Sequence, residues 1–377
     1  MKMRKVIWAM VLAATLVAGC CIEPPLHLRK AVNTRVYITT KVEVNLMWQT
    51  TWDSDWKFTW NEAVLGPLGY SLPASLRMHI FTHGPSGQAV SHTVHNFVGD
   101  NAQMEVFLGT HDLLFHNNDS EALLFSQEDE LSPVHCYTRQ KSTGLRASSP
   151  VYTAAQKAAG LNTKADEDMQ EEPVNLMPDD LFSLYDQNRV ITDNPEDYIY
   201  EDGKYVLKIQ GELHPSTYIY LIQVKLLNNG GRVIGSPGGA ALTGMASGVN
   251  LFTRESWTQT VSVWLEDVYI DKEQDLLGGK MYTFGNPGCN PYDDESVAAM
   301  PEQTHFLVLN VMYVNGSYKN IRIDVTDQVR ALPLGGVIDL ELDVDDFPPD
   351  ESAGGGGGFE ALISGWDEEV GSTTIIN

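Results

Sequence analysis

Arg35-Val36-Tyr37-Ile38-Thr39-Thr40-Lys41-Val42-Glu43-Val44-Asn45-Leu46-Met47-Trp48 is the stretch on which the reading of the fold turns. Val36, Ile38, Val42, Val44, Leu46 and Trp48 occupy even positions and are apolar; the odd positions are mostly polar or amphipathic. Successive side chains of a strand point to opposite faces, so a period of two describes a strand with one face in a core and one toward water.

The same chemistry recurs outward from that stretch. Strand-like runs are predicted at 76–82, 92–98, 103–108, 111–116 and 121–126, with turns at Gly84-Pro85-Ser86-Gly87 and Asn117-Asn118-Asp119. Residues 139–172 lose the alternation and are expected to form a long mobile loop. Strands resume at 174–185, 205–209, 218–227, 257–264, 281–284, 305–314, 318–325 and 337–344, punctuated by Asn228-Asn229-Gly230-Gly231 and Asn315-Gly316. No long amphipathic helix is visible. Many short strands with Gly, Pro and Asn turns predict an all-β chain of β-sandwich domains. The expected division is an N-terminal domain over 35–195 and a C-terminal domain over 204–377. Beyond Pro348-Pro349, five glycines (354–358) form a flexible bend, and Phe359, Ala361, Ile363 and Trp366, then 373–376, read as terminal strands. Such a strand completes its own sheet or adds to a neighbour's edge, the first being the simpler expectation.

Composition narrows the function. The 377 residues carry 25 Lys+Arg against 50 Asp+Glu, a net charge of −25, with 43% hydrophobic residues. That apolar content excludes an acidic disordered tail. The charge disfavours nucleic acid and electrostatic docking on an anionic membrane. At the N-terminus, Lys2, Arg4 and Lys5 precede the apolar run from Val6 to Val17, too short to span a bilayer and suited to a signal peptide. Val17-Ala18-Gly19-Cys20 follows, the pattern of a bacterial lipobox. Residues 1–19 are therefore expected to be cleaved, Cys20 to be lipidated, and 20–34 to form a lipidated linker. Loss of three cations and no acid takes the charge to −28. The expected location is the outer membrane, held by lipid at the cell surface. Cys136 and Cys289, far apart in sequence, are expected to be free thiols.

Catalytic motifs are missing: no Gly-x-Ser-x-Gly, no His-Glu-x-x-His, and no Gly-Lys-Ser/Thr after Gly235-Ser236-Pro237-Gly238-Gly239. The chain is expected to be no enzyme and to need no cofactor. His79, His83, His92 and His95 cluster in sequence, with His111 and His116 behind. His92 and His95, three apart, fall on opposite faces of a strand, and no metal site is expected. The acids Asp343, Asp345, Asp346 and Asp350, and Asp293, Asp294 and Glu295, lack the calcium-loop spacing and read as solvated edges. Trp48, Trp52, Trp56 and Trp60 recur every four residues, which fits one face of a helix or of a strand. They are packing residues or, in a second reading, sugar-stacking residues of a surface glycan-binding lipoprotein.

Several segments in order resemble one family. Gly109-Thr110-His111-Asp112-Leu113-Leu114-Phe115-His116-Asn117-Asn118-Asp119 is similar to a strand of the fimbrillin-like lipoproteins of Bacteroidales, with His111 in place of the usual aromatic. Met177-Pro178-Asp179-Asp180-Leu181-Phe182 resembles the segment closing their first domain, and Leu242-Thr243-Gly244-Met245-Ala246 an internal element. Asp324-Val325-Thr326-Asp327-Gln328-Val329, Gly356-Gly357-Gly358-Phe359 and Gly365-Trp366-Asp367 resemble their C-terminal pattern. The nearest subfamily is DUF5119. The resemblance implies two tandem transthyretin-like Greek-key β-sandwich domains on a lipid anchor. It also implies a structural, anchor or accessory role in fimbriae assembled by β-strand addition, with fimbrial subunits and a host or glycan surface as partners. Stalk subunits of the family lose their first strand to an Arg-directed protease; Arg29, Arg35 and Arg146 are the candidate cuts here.

Overall fold

The computed structural model describes residues 39–376 apart from 53, 129–130, 141–171, 202, 238, 266–267 and 350–372. The first half supplies β1 (Thr39–Trp48), β2 (Ser75–His83), β3 (Ala89–Val98), β4 (Asn101–Phe107), β5 (Gly109–Asn117), β6 (Leu123–Ser126), β7 (His135–Thr138), β8 (Val174–Leu176), β9 (Phe182–Ile191), β10 (Tyr198–Glu201) and β11 (Lys204–Pro215). The second half supplies β12 (Tyr218–Leu227), β13 (Val233–Gly235), β14 (Ala240–Ala246), β15 (Gly248–Asn250), β16 (Thr260–Leu265), β17 (Tyr269–Asp271), β18 (Leu276–Thr283), β19 (Phe306–Tyr313), β20 (Tyr318–Asp324), β21 (Gly336–Asp343) and β22 (Thr373–Ile376). Helices among the described residues are single turns or little more, at Glu62–Leu65, Asp294–Ala298 and Thr326–Ala331.

Eight strands form the first sheet, in the order β3-β2-β5-β9-β11-β1-β4 with β10 on β11. β11 is its hinge. Leu207–Leu213 run parallel to Val42–Trp48, whereas His214 and Pro215 pair antiparallel with Ser183 and Phe182. The two arms share one core: Val42, Val44 and Leu46 of β1 and Val106 of β4 meet Leu76, Met78 and Ile80 of β2 and Leu113 and Phe115 of β5. The alternation of β1 is thus a sandwich signal, with Val42, Val44 and Leu46 at 3% exposure or less.

A second sandwich packs the sheet β17-β18-β12-β21 against the sheet β22-β20-β19-β14-β16-β8, with β13 on β19. β12 explains its own sequence. Tyr218, Tyr220, Ile222, Val224 and Leu226 enter the core between the sheets. Ile219 and Leu221 point the other way and are buried too. A run apolar at every position is the signature of a strand covered on both faces. β14 (Ala240–Ala246) is wholly buried between β16 and β19, with a bulge between Leu242 and Met245. Gly244 sits in that bulge at φ +75°, where a Cβ would lie 2.5 Å from the Thr304 carbonyl oxygen, so no other residue fits.

Both halves contribute to the remaining layers. β8 runs parallel to β16 in the second sandwich. β15 pairs with β7, and β7 with β6, giving a small three-stranded sheet. Leu123, Cys136 and Val249 of this sheet, with Val134 just before β7, pack with Phe81 and Leu114 from the outer side of β2 and β5. Sheet membership changes from the first sandwich to the second between Pro215 and Tyr218. The anticipated loop lies almost wholly outside the described residues.

Candidate functional site

The first candidate is a sheet edge. β20 pairs with β19 over seven residues, Tyr318–Asp324 against Phe306–Met312. On its other side it carries β22 in parallel, with Asn320 opposite Thr373, Ile321 opposite Thr374, Arg322 opposite Ile375 and Ile323 opposite Ile376. β20 is well fixed: Ile321 and Ile323 enter the sandwich core, the Arg322 guanidinium lies 3.5 Å from the Phe306 ring centroid, and Lys319 Nζ donates to the Pro348 carbonyl at 3.1 Å. The edge is therefore a rigid row of main-chain donors and acceptors to which Thr373–Ile376 add a parallel strand. β22 joins the sheet of its own chain, the simpler of the two expectations for 373–376. Phe359, Ala361, Ile363 and Trp366, the other residues of the expected terminal strand, lie outside the described residues.

A second feature is the extended strap 49–61 and the turn after it. Trp52, Trp56 and Trp60 are half-buried and alternate with exposed Thr51, Asp55 and Thr59. The spacing of four is thus one face of an extended chain. That face covers Ile219, Leu221 and Tyr282 on the outer side of β12 and β18, with Leu68 and Tyr70 completing the layer. Trp56 stands edge-on to Trp60 at 5.1 Å and fills the space over Gly278, where a Cβ would lie 3.1 Å from its ring. Trp60 Nε1 donates to the Gly66 carbonyl at 2.8 Å. Trp48 packs instead on Phe182 at 5.6 Å, at the edge of the first core. Polar ties hold the strap: Lys57 N donates to Gln223 Oε1 at 3.1 Å, Lys57 pairs with Asp339, and Lys280 Nζ donates to the Pro67 carbonyl at 2.9 Å and to that of Gly69. Burial pushes the Lys280 ammonium down to about 8, with Asp180 pulling it back up.

Histidines make the third feature. β2 and β5 pair with Arg77 opposite His116 and His79 opposite Leu114, and β2 and β3 with Phe81 opposite His92. His79, His92 and His116 thus share the outer face, while His95, opposite Met78, lies on the other face. His92 and His95 do part to opposite sides. His79 Nδ1 is 3.0 Å from His92 Nε2, and His79 Nε2 is 3.0 Å from His116 Nε2. Glu128, in the turn after β6, brings Oε1 to 3.8 Å of His79 Nε2 and 4.0 Å of His116 Nε2. His79 and His116 have no exposed surface. Burial, helped by His116, His92 and Arg77, depresses His79 to about 2, and burial depresses His116 to about 4 against a hydrogen bond to the Asn117 carbonyl. Both are neutral imidazoles at neutral pH. His83 stands apart, 3.0 Å from Asp112, and His111 bonds the Phe107 carbonyl at 2.7 Å. No local motif marks this cluster, because its members come from three strands and a turn.

The remaining candidates are placed as follows. Cys136 and Cys289 are free and buried. Asp293 caps the helix Asp294–Ala298 through Glu295 N, and Asp343 caps a 3-10 turn through Asp345 N, so part of each acidic run serves the chain's own backbone. Asp350, Cys20, Arg29, Arg35 and Arg146 lie outside the described residues. Among the described residues no helix is long and apolar enough to cross a membrane.

No family model matches the sequence, and no curated protein matches it either. Among solved structures, the chain is similar to a proposed adhesin from Bacteroides ovatus, with 13% identity, a TM-score of 0.46, and coverage of 81% of this chain and 93% of that one. It is similar to a proposed polysaccharide-binding protein (DUF1812) from Bacteroides thetaiotaomicron, with 8% identity, a TM-score of 0.42, and coverage of 80% and 92%. It is also similar to the C-terminally truncated tip fimbrial protein Mfa3 from Porphyromonas gingivalis, with 12% identity, a TM-score of 0.32, and coverage of 76% and 82%.

Proposed function

We propose that this chain is a non-enzymatic, lipid-anchored protein of the cell surface, an anchor or accessory component of fimbriae that joins its neighbours by β-strand addition. The observation that carries the reading is the edge of β20, on which Thr373–Ile376 lie as an added parallel strand. Main-chain pairing supplies the affinity in such docking. The lipobox ending at Cys20 and the ordered segments similar to fimbrillin-like lipoproteins of the DUF5119 subfamily support the same reading. On this reading the two β-sandwiches would be transthyretin-like Greek-key domains, as the resemblance implies.

An anchor or accessory role is preferred over a proteolytically matured stalk subunit. The described residues of β1, Thr39–Trp48, follow both Arg29 and Arg35, so a cut at either leaves them in their sheet, whereas a cut at Arg146 would part β1–β7 from the strands after them.

The test is a chain ending at Pro349, mixed with a synthetic peptide covering 369–377. The peptide should bind and restore the melting temperature of the intact protein, and untruncated chains should no longer form mixed assemblies with the truncated one. Unchanged melting with unchanged assembly would sink the reading. Fatty-acid labelling that persists after Cys20→Ala would remove the anchor. For the glycan reading, Trp48, Trp52, Trp56 and Trp60 are the stacking candidates, and affinity electrophoresis on a polysaccharide panel decides it.

A further inference from the structure

The histidine cluster on the outer face of the first sandwich has the makings of more than a packed interior. Three donor atoms from three separate elements converge: Nε2 of His79 on β2, Nε2 of His116 on β5 and Oε1 of Glu128 in the turn after β6. Their separations are 3.0, 3.8 and 4.0 Å. The circle through three such points has a radius of about 2.1 Å, the length of a zinc–imidazole or zinc–carboxylate bond. One point therefore lies at bonding distance from all three atoms at once. We propose that His79, His116 and Glu128 form a binding site for a zinc(II) ion, with a fourth position open to water on the Glu128 side.

The surroundings are those of a ligating set. His116 Nδ1 donates to the Asn117 carbonyl at 2.8 Å, which fixes its tautomer and leaves the Nε2 lone pair facing the centre. His79 has a matching orienting partner, His92, 3.0 Å from its Nδ1. Phe125 stacks on His116 at 4.4 Å and Phe81 on His92 at 4.4 Å, so apolar rings wall the site on both sides. Both imidazoles stand on neighbouring strands of one sheet, which limits their freedom to swing away. Glu128 follows Gln127, held at φ +64°, a left-handed conformation that side chains other than Gly seldom adopt. Glu128 also accepts from Arg77 through Oε1, and a carboxylate oxygen pair has room for a guanidinium and an ion together. Arg77 is the cation facing the site, and it sets the affinity below that of a site built from anions alone.

Two proton arrangements suit the same atoms. Without an ion, His92 donates to His79, His79 donates to His116, and His116 donates to Asn117, a chain of neutral imidazoles. With zinc bound, His79 moves its proton from Nε2 to Nδ1 and donates to His92, which shifts its own proton to the other ring nitrogen. No proton is gained or lost. The ion then replaces the one hydrogen that lay between the two Nε2 atoms and draws Glu128 in. In doing so it ties the turn after β6, and with it the small β6-β7-β15 sheet, to the outer face of the first sandwich.

Titration calorimetry of chelator-stripped chain with zinc chloride at pH 7 tests this, with cobalt(II) as an optical probe. Wild-type protein should bind one equivalent of zinc and give the visible bands of tetrahedral cobalt. Glu128→Gln, at the partly exposed mouth, should keep the fold and weaken zinc at least tenfold. His116→Gln should abolish the cobalt bands, and His83→Gln, outside the cluster, should leave binding unchanged. No stoichiometric zinc binding by the wild type, or equal binding in Glu128→Gln, would overturn the site.

Discussion

Trp56→Ala separates a structural role for the tryptophan strap from a ligand-stacking one. A tryptophan buries ~150–250 Å² when fully covered. Trp56 is half-buried over Gly278 and the outer face of β12 and β18, so roughly 100 Å² leaves water, about 2.5 kcal/mol at ~25 cal/mol per Å². The edge-on pair with Trp60 adds about 1 kcal/mol. Against this stands the Trp56 indole nitrogen, buried without a hydrogen-bond partner. That defect costs about 1 kcal/mol or more, and truncation removes it. The balance is a loss of about 2 kcal/mol, which for a unit the size of the second sandwich is a fall of about 4–8 °C in melting temperature. Guanidinium unfolding followed by tryptophan fluorescence, with calorimetry alongside, reads the change. Trp56→Phe keeps a ring in the layer and should lose less than half as much. A loss under about 0.5 kcal/mol for Trp56→Ala, with weakened retardation on a polysaccharide gel, would refute the packing argument and favour the glycan reading.

The acid limb of the stability curve should depend on His305. It is fully buried, with Nδ1 3.1 Å from the Thr243 carbonyl, and burial, followed by Arg330, holds it at about 4, below its ordinary 6.5. The folded state keeps it neutral, so its contribution is complete above pH 6.5 and is lost as pH falls from 6.5 through about 4, some 3 kcal/mol in all; His305→Gln should flatten that limb in urea titrations, and an unchanged slope would contradict the burial argument. Gly335→Ala should cost about 3 kcal/mol or more, because at φ +81° a Cβ would lie 2.1 Å from the Ile219 carbonyl oxygen. Gly316→Ala, at φ +83° with nothing within 4 Å, should cost only about 1 kcal/mol, the left-handed penalty alone; similar losses at the two sites in denaturant melts would show the contact with β12 to be irrelevant.

How much of this was legible in the sequence depended on which faces a strand covers. β1 shows its alternation because one face meets a core and the other is largely open, and β12 shows a continuous run because the strap buries its second face. β14 escaped the strand reading: Ala240, Ala241, Thr243, Gly244 and Ala246 are small residues chosen for close packing between two neighbours, and small residues carry no period. Its segment Leu242–Ala246 carries a family resemblance in place of a strand pattern. The tryptophan spacing left helix and strand open, since a repeat of four satisfies both, and the sheet beneath the strap decided it. The His79–His116–Glu128 group was invisible for a different reason. Its register depends on how β2 lies against β3 and β5, and no spacing along one strand encodes that.

β1 and β22 differ in how firmly their sheets hold them, and this bears on where a neighbour can join. β1 lies between β11 and β4 and pairs with β11 along Val42–Trp48. Pulling it out would expose Val42, Val44 and Leu46, all nearly or fully buried, at about 2 kcal/mol each, and would strand the main-chain groups of both neighbours. β22 pairs with β20 over the four described positions Thr373–Ile376, against Asn320–Ile323. Exchange at β1 has to dismantle a core before it gains anything, whereas exchange of β22 leaves Ile321 and Ile323 of β20 in the sandwich beneath. The proposed strand addition is therefore expected at the β20 edge, and β1 is the strand that keeps the first sandwich closed.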